Sequence, residues 1–253
     1  MFEIIKQVYL NSIFYDKKIS PKAIYELEYK PSSYLLSSIV KIKSKKFNID
    51  NFSYNNFWSD RELNQKQLQK LNNFYWLFSL DLKSSNKSVQ TVIKNWIEKN
   101  YKYNSKNWNF EVTSKRIISW LSNTVLTYDN AGDQYQKDYS SIIHKQTFHL
   151  INQIDKESKL DNKIRGAAAI ILVGLSYKNE KNFTIKGLEN LKKIIRYTID
   201  NNGFPKSRNI KSSVFFLKYL ILIREWFKES QSEIPNFINE SIFNLGQSYA
   251  FFW

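Results

Sequence analysis

The sequence predicts an all-α protein. Apolar residues recur at helical spacing through most of the chain, and short loops carrying Asn, Gly, Pro or Asp separate the periodic runs. Alternating strand patterns are almost absent. With 253 residues, 42% of them hydrophobic, the chain can bury a sizeable core as one large domain or two small ones.

The first 55 residues read as one helix followed by an irregular arm, with a brief strand pairing over Tyr34 to Phe47. The segment DRELNQKQLQKLNNFYWLFSLDL opens on Asp60 as N-cap and places Leu63, Leu68, Leu71, Tyr75 and Phe78 near one face. SVQTVIKNWIEKNY then brings Val89, Val92, Ile93, Trp96 and Ile97 to core spacing. In TSKRIISWLSNTVLTY the stripe is Ile117, Trp120, Leu121, Thr124 and Val125, with Thr113 or Ser114 as the cap. DYSSIIHKQTFHLINQID, NKIRGAAAIILVGLSY, TIKGLENLKKIIRYTID, SSVFFLKYLILIREWFKES and PNFINESIFNLGQSYAFFW complete the set. Successive antiparallel helices with short links suit a bundle, an α-solenoid or a ring of helical hairpins, and no strict repeat is visible.

Composition narrows the chemistry. There is no Cys, so disulfides, thiolate nucleophiles and Cys-ligated metals are excluded; two His exclude a His-rich zinc site, though not an oxygen-ligated cation. The formal net charge is +15, which suits a polyanionic partner. The Lys residues are spread rather than blocked, in a chain rich in Lys, Asn, Ile and Tyr throughout, so the field is diffuse. The apolar runs AAAIILVGL and VFFLKYLILI are too short to span a bilayer. The N-terminus lacks the layout of a signal peptide, which gives a cytoplasmic assignment by default and leaves the periplasm open.

Most Trp residues fall on apolar helix faces and read as core, while Trp58 and Trp108 lie near helix starts and could line a cleft. His144 and His149 are five apart on one helix, which does not align a metal pair; His149 reads as structural, and His144 stays open as an acid or base. Arg116, Arg165 and Arg208 each read as starting or preceding a helix, a placement that calls for a nearby anion. Surface pairing with carboxylates is the competing reading. No phosphate-binding glycine loop, nucleophile elbow or paired-carboxylate spacing is present.

Five stretches, taken in chain order, resemble one family. LNNFYWLFSL is similar to a helix carrying aromatic-x-Trp-Leu, and NWNFEVTSKRIISWL to a Trp, Arg, Trp-Leu element. QTFHLINQI resembles a Gln-x-x-His-Leu element and NKIRGAAAIILVGL an Arg-x-x-Ala helix. NGFPKSRNIKSSVFFLKYLILI resembles an Asp-Gly-Gly-His-x-x-Arg-(Ser/Asn)-Pro element ahead of an apolar helix. The family is the heparinase II/III-like polysaccharide lyases, and the matching part is their N-terminal helical domain in its alphaproteobacterial-type variant.

That resemblance implies an incomplete (α/α) toroid of antiparallel helical hairpins over 58–253, preceded by an N-terminal helix and arm over 1–57. It also implies β-elimination of uronic-acid polymers. Such chemistry needs a group that neutralises the substrate carboxylate, a Tyr or His base, and an acid for the leaving oxygen. Arg208 and Asn209 match the Arg-(Ser/Asn) pair and are the first substrate-binding candidates, with Arg165, Arg116 and Trp58 beside them.

The sequence departs from the family in four places. The Gly-Gly-His portion is reduced to Gly203, Phe204 and Pro205. Lys211, Ser212 and Ser213 stand where lyases place a Tyr-His pair, and Asn162-Lys163 where many members carry Asn-His. The chain ends at SYAFFW, where the family's β-sandwich would begin. Catalytic residues are therefore unassigned, no cofactor or metal is expected, and enzyme activity is left open. The leading expectation is a truncated or split toroid that binds anionic polysaccharide, with lyase activity only if a separate β-sandwich domain completes it. The alternatives are a non-enzymatic basic scaffold for nucleic acid or a protein partner, and a degenerate product with a sticky FFW end.

Overall fold

The structure, a computed structural model, describes residues 2–40, 64–80, 84–200 and 202–251. It is all-α. The helices are α1 (Phe2–Leu10), α2 (Ile13–Ile19), α3 (Ser33–Val40), α4 (Gln65–Asn72), α5 (Asn86–Asn100), α6 (Phe110–Leu121), α7 (Thr124–Thr127), α8 (Asp133–Gln153), α9 (Leu160–Ser176), α10 (Lys181–Thr198), α11 (Ile210–Glu229) and α12 (Asn236–Phe251). Among the described residues there is no strand; isolated bridges join Leu27 to Tyr177 and Ile199 to Pro205.

Several local expectations are corrected. The first helix is two, because Ser12 caps α2 by accepting from the Tyr15 amide. Tyr34 to Val40 are helical, with Leu36 buried and the Ser37 and Ser38 hydroxyls bonded back to helix carbonyls; residues 41–47 lie outside the described residues. The expected helix from Asp60 begins later: Asn64 forms a capping box with Gln67. It stops at Asn73, because Phe74 turns left-handed with φ 58°, and Tyr75–Ser79 continue as a 3-10 turn. Asp60 and Leu63 lie outside the described residues. Val125 is 67% exposed, because α6 ends at Leu121 and α7 restarts on a different face.

The chain forms two compact units: Met1–Tyr25 with Ile42–Leu150, and Glu26–Lys41 with Ile151–Trp253. The first is built on an aromatic core. Phe74 lies 5.1 Å from Trp120 and 6.0 Å from Trp96, and the two Trp rings are 5.6 Å apart. Trp108 is 1% exposed, so the cleft reading for it gives way to core packing.

The second unit is organised around α9, whose face is narrowed by Ala167, Ala168 and Ala169. Small residues let the helices approach closely. A Cβ on Gly187 would come within 2.5 Å of Ile171, and one on Gly174 would strike the Thr184 backbone and hydroxyl. α10 therefore packs antiparallel on α9, while α11 packs against α9, α12 and α3. Between α10 and α11 the chain makes a tight hairpin. Asp200 and Lys206 amides donate to Phe204 and Thr198 carbonyls, Gly203 takes φ +80°, and the Ser248 hydroxyl donates to its carbonyl.

Candidate functional site

Two clusters of polar side chains hold the sequence-expected residues, one in each unit. In the first unit Arg116 lies in the middle of α6, not at its start, because Asn109 and not Thr113 caps the helix. The residue is 0% exposed. Its NH1 donates to the carbonyls of Asn72 (2.8 Å) and Asn107 (3.0 Å), Nε to Gln146 (3.1 Å) and NH2 to Thr113 (3.2 Å). The Trp96 ring lies 4.1 Å away, adding a cation–π contact. Burial pulls its pKa well below the ordinary value, although a guanidinium in such a fork keeps its proton. Arg116 thus ties α4, α6 and α8 together from within.

His149 is buried beside it, with Nδ1 2.7 Å from the Tyr15 hydroxyl and the Trp108 ring 5.5 Å away. Burial lowers its pKa to about 3; a hydrogen bond with the Trp108 backbone opposes this, and Arg116 and Lys6 reinforce it. It is a neutral, packed imidazole with a structural role. Lys145 is also fully buried, with its ammonium 2.7 Å from Asp16 and 4.0 Å from the Tyr101 ring. Sequence periodicity gave no sign of that pair.

In the second unit the candidates gather where α9 and α11 begin. Asn209 caps α11: its side-chain oxygen accepts from the amides of Lys211 (3.0 Å) and Ser212 (3.4 Å). The cap uses the oxygen and leaves the amide NH₂ facing solvent. Arg208 precedes it with φ 55°, a left-handed conformation a non-glycine residue rarely adopts, held by its amide donating to the Pro205 carbonyl. That backbone swings the side chain outward: it is 69% exposed, 3.5 Å from Asp200 and 5.8 Å from the Phe204 ring.

Arg165 lies within α9 and is 7% exposed. Its NH1 donates to Asn162 at 2.8 Å and its Nε to the Tyr219 hydroxyl at 3.1 Å, with the Phe215 ring at 5.2 Å. Asn209, Ser212, Phe215 and Tyr219 follow one ridge of α11, so the cap and the Tyr219 that Arg165 bonds are separated by about 15 Å along the axis. Lys206 and Lys211 are exposed on the same edge. The structure thus brings Arg208, Asn209 and Arg165 together in one unit and puts Arg116 in the other; Trp58 lies outside the described residues. Of the three arginines, only Arg208 precedes its helix.

A cavity of about 870 Å³ in the second unit lies at the opposite ends of α9 and α11. Tyr29 donates to Glu229 there at 2.6 Å, and burial followed by that carboxylate holds the phenol pKa far above its ordinary value. Glu28, Glu229 and Glu233 face this cavity with Lys178 and Lys181, a lining poorly matched to a polyanion. Among the described residues, no group of three or more Asp, Glu or His is placed to hold a metal, and no helix is long and apolar enough to cross a membrane.

A crystal structure of heparinase III matches 86% of this chain with a TM-score of 0.57 at 15% identity. The chain shares the helical fold of part of heparinase III. At that identity the likeness is one of fold, and it supports the all-α toroid class expected from the sequence. The chain spans 37% of the length of the heparinase III structure. No protein-family model matches, and no curated protein matches in sequence.

Proposed function

We propose that this chain is a heparinase II/III-like toroid portion that binds an anionic, uronic-acid polysaccharide along the edge carrying Arg208 and Asn209. The observation that carries the proposal is the outward guanidinium of Arg208 at the N-terminus of a 20-residue helix. A guanidinium matches a carboxylate with two parallel hydrogen bonds. The helix end adds a favourable field for negative charge, and the free NH₂ of Asn209 can donate to a sugar hydroxyl. Asp200 is the resting partner of Arg208, at a long 3.5 Å that a substrate carboxylate could replace. Arg165 is held deeper in the same unit by Asn162 and Tyr219 and is not part of this edge.

No Tyr or His occupies positions 211–213 beside this edge, so a base for proton abstraction is missing from that element. We therefore assign binding to the chain, and β-elimination only to an assembly in which a β-sandwich domain completes the site. The test is equilibrium binding of polygalacturonate, alginate and hyaluronan against a neutral glucan and duplex DNA, at two salt concentrations. The proposal expects a uronic-acid polymer to stay bound at about 200 mM salt, where diffuse polyanion binding has fallen steeply. Equal affinity for DNA and every polyuronate, all lost together with salt, would favour the basic-scaffold reading instead.

A further inference from the structure

A second, smaller pocket lies in the same unit, between the start of α9 and the end of α10. Its volume is about 250 Å³, and its polar lining is Asp155, Lys163, Asn190, Lys193 and Tyr197. Asn190, Lys193 and Tyr197 are spaced i, i+3 and i+7, so they stand in a row about 10 Å long on one ridge of α10. The floor is apolar, made by Ile154, Leu160 and Ile194. Tyr197 is 72% exposed, a large aromatic left open at the rim. Lys163 reaches only the Asp155 carbonyl, at 3.4 Å, and Lys193 is exposed with no partner among the described residues.

An exposed phenol face, two ammonium groups, an amide and one carboxylate around an apolar floor suit a particular chemistry. A sugar ring packs its C–H face on an aromatic ring, its hydroxyls pair with an amide and a carboxylate, and an attached acidic group needs cations. A bare oxyanion uses only the lysines and leaves Tyr197 and the floor idle. Nucleic acid would need a longer positive track, whereas Asp155 stands inside this one.

The geometry points to a subsite for one acidic sugar residue in this pocket, with Tyr197 as stacking platform and Lys163 and Lys193 as receivers of its carboxylate or sulfate. The Ile199–Pro205 hairpin connects the ridge of Tyr197 to Arg208, and Lys206 bridges back to the Arg196 carbonyl at 2.9 Å. The inference rests on the polysaccharide reading of the Arg208 edge for its ligand class, but on separate residues for its evidence.

The test is the affinity of a uronic-acid hexasaccharide for the unchanged chain, for Tyr197→Ala/Lys193→Ala and for Arg208→Ala. All three positions are exposed, so the variants keep the fold, which circular dichroism verifies. The pocket variant should lose about tenfold, combining one stacking and one surface-charge contact. Losses in both variants support both sites. A loss in Arg208→Ala alone overturns the pocket and leaves the edge, while a loss in the pocket variant alone does the reverse. No loss in either overturns both. Displacement of the hexasaccharide by inorganic sulfate at equal concentration would make the pocket a free-oxyanion site and overturn the sugar assignment.

Discussion

The Nε–H of Arg165 donates to the hydroxyl of Tyr219 across 3.1 Å, joining α9 to α11 over 54 positions of sequence. Both groups are buried, so the bond has no ready replacement from solvent. Tyr219→Phe removes a buried acceptor of this charged donor, which costs about 1–3 kcal/mol. Urea unfolding measures this as a lower midpoint with unchanged slope; an unchanged midpoint would mean the bond is dispensable.

Arg116 makes a stronger claim of the same kind. Its guanidinium satisfies the carbonyls of Asn72 and Asn107 and the side chains of Gln146 and Thr113 at once. Arg116→Ala orphans these acceptors and opens a cavity, so a loss of about 3 kcal/mol or more is expected. Arg116→Lys should rescue little, because an ammonium cannot reproduce the planar fork. A lysine variant as stable as the unchanged chain would show that charge alone is needed there.

His149 sets a pH dependence. Its folded pKa is about 3 against an ordinary 6.5, so the unfolded chain binds the proton more readily. Stability is therefore full above pH 6.5 and falls as pH drops toward 3, with a slope of up to about 1.4 kcal/mol per unit from this group. Between pH 6.5 and 5 carboxylates contribute little, and there His149→Gln should flatten the curve relative to the unchanged chain. Parallel curves over that interval would contradict the burial of a neutral imidazole.

The close approach of α9 and α10 is testable through glycine. Gly174→Ala drives a methyl into the Thr184 backbone and should cost about 1–3 kcal/mol. Gly132→Ala meets nothing within 4 Å and should stay within about 0.5 kcal/mol of the unchanged chain. Equal effects at both positions would mean that the helices are not packed as closely as the structure has them.

The fold class was legible because helical periodicity is a local property: the stripes Val89–Ile97 and Val214–Phe227 report burial whatever packs on them. Helix ends were less so. Asn109 and Asn64 cap α6 and α4 earlier or later than the periodic runs suggest, and Phe74 ends a helix whose apolar period runs on past it. The misplacement of Arg116 followed from the cap, since shifting the start of α6 moves the residue from helix entrance to helix middle. The long-range side-chain partners were invisible for another reason. Tyr219 is 54 positions from Arg165 and Tyr15 134 from His149, and such contacts leave no periodic trace. The placement of Arg208 ahead of α11 was readable because Gly203 and Pro205 mark the turn just before it, while the Asn209 cap, which lies ahead of the apolar run, was not.

The most direct measurement is the affinity of the unchanged chain and of Arg208→Ala for a uronic-acid polymer, taken side by side at physiological salt. Carboxylate binding by the exposed guanidinium predicts a loss of about fivefold or more with the unfolding midpoint unchanged. Equal affinity of the two proteins for every polyuronate tested would contradict the assignment of this edge as the polysaccharide site.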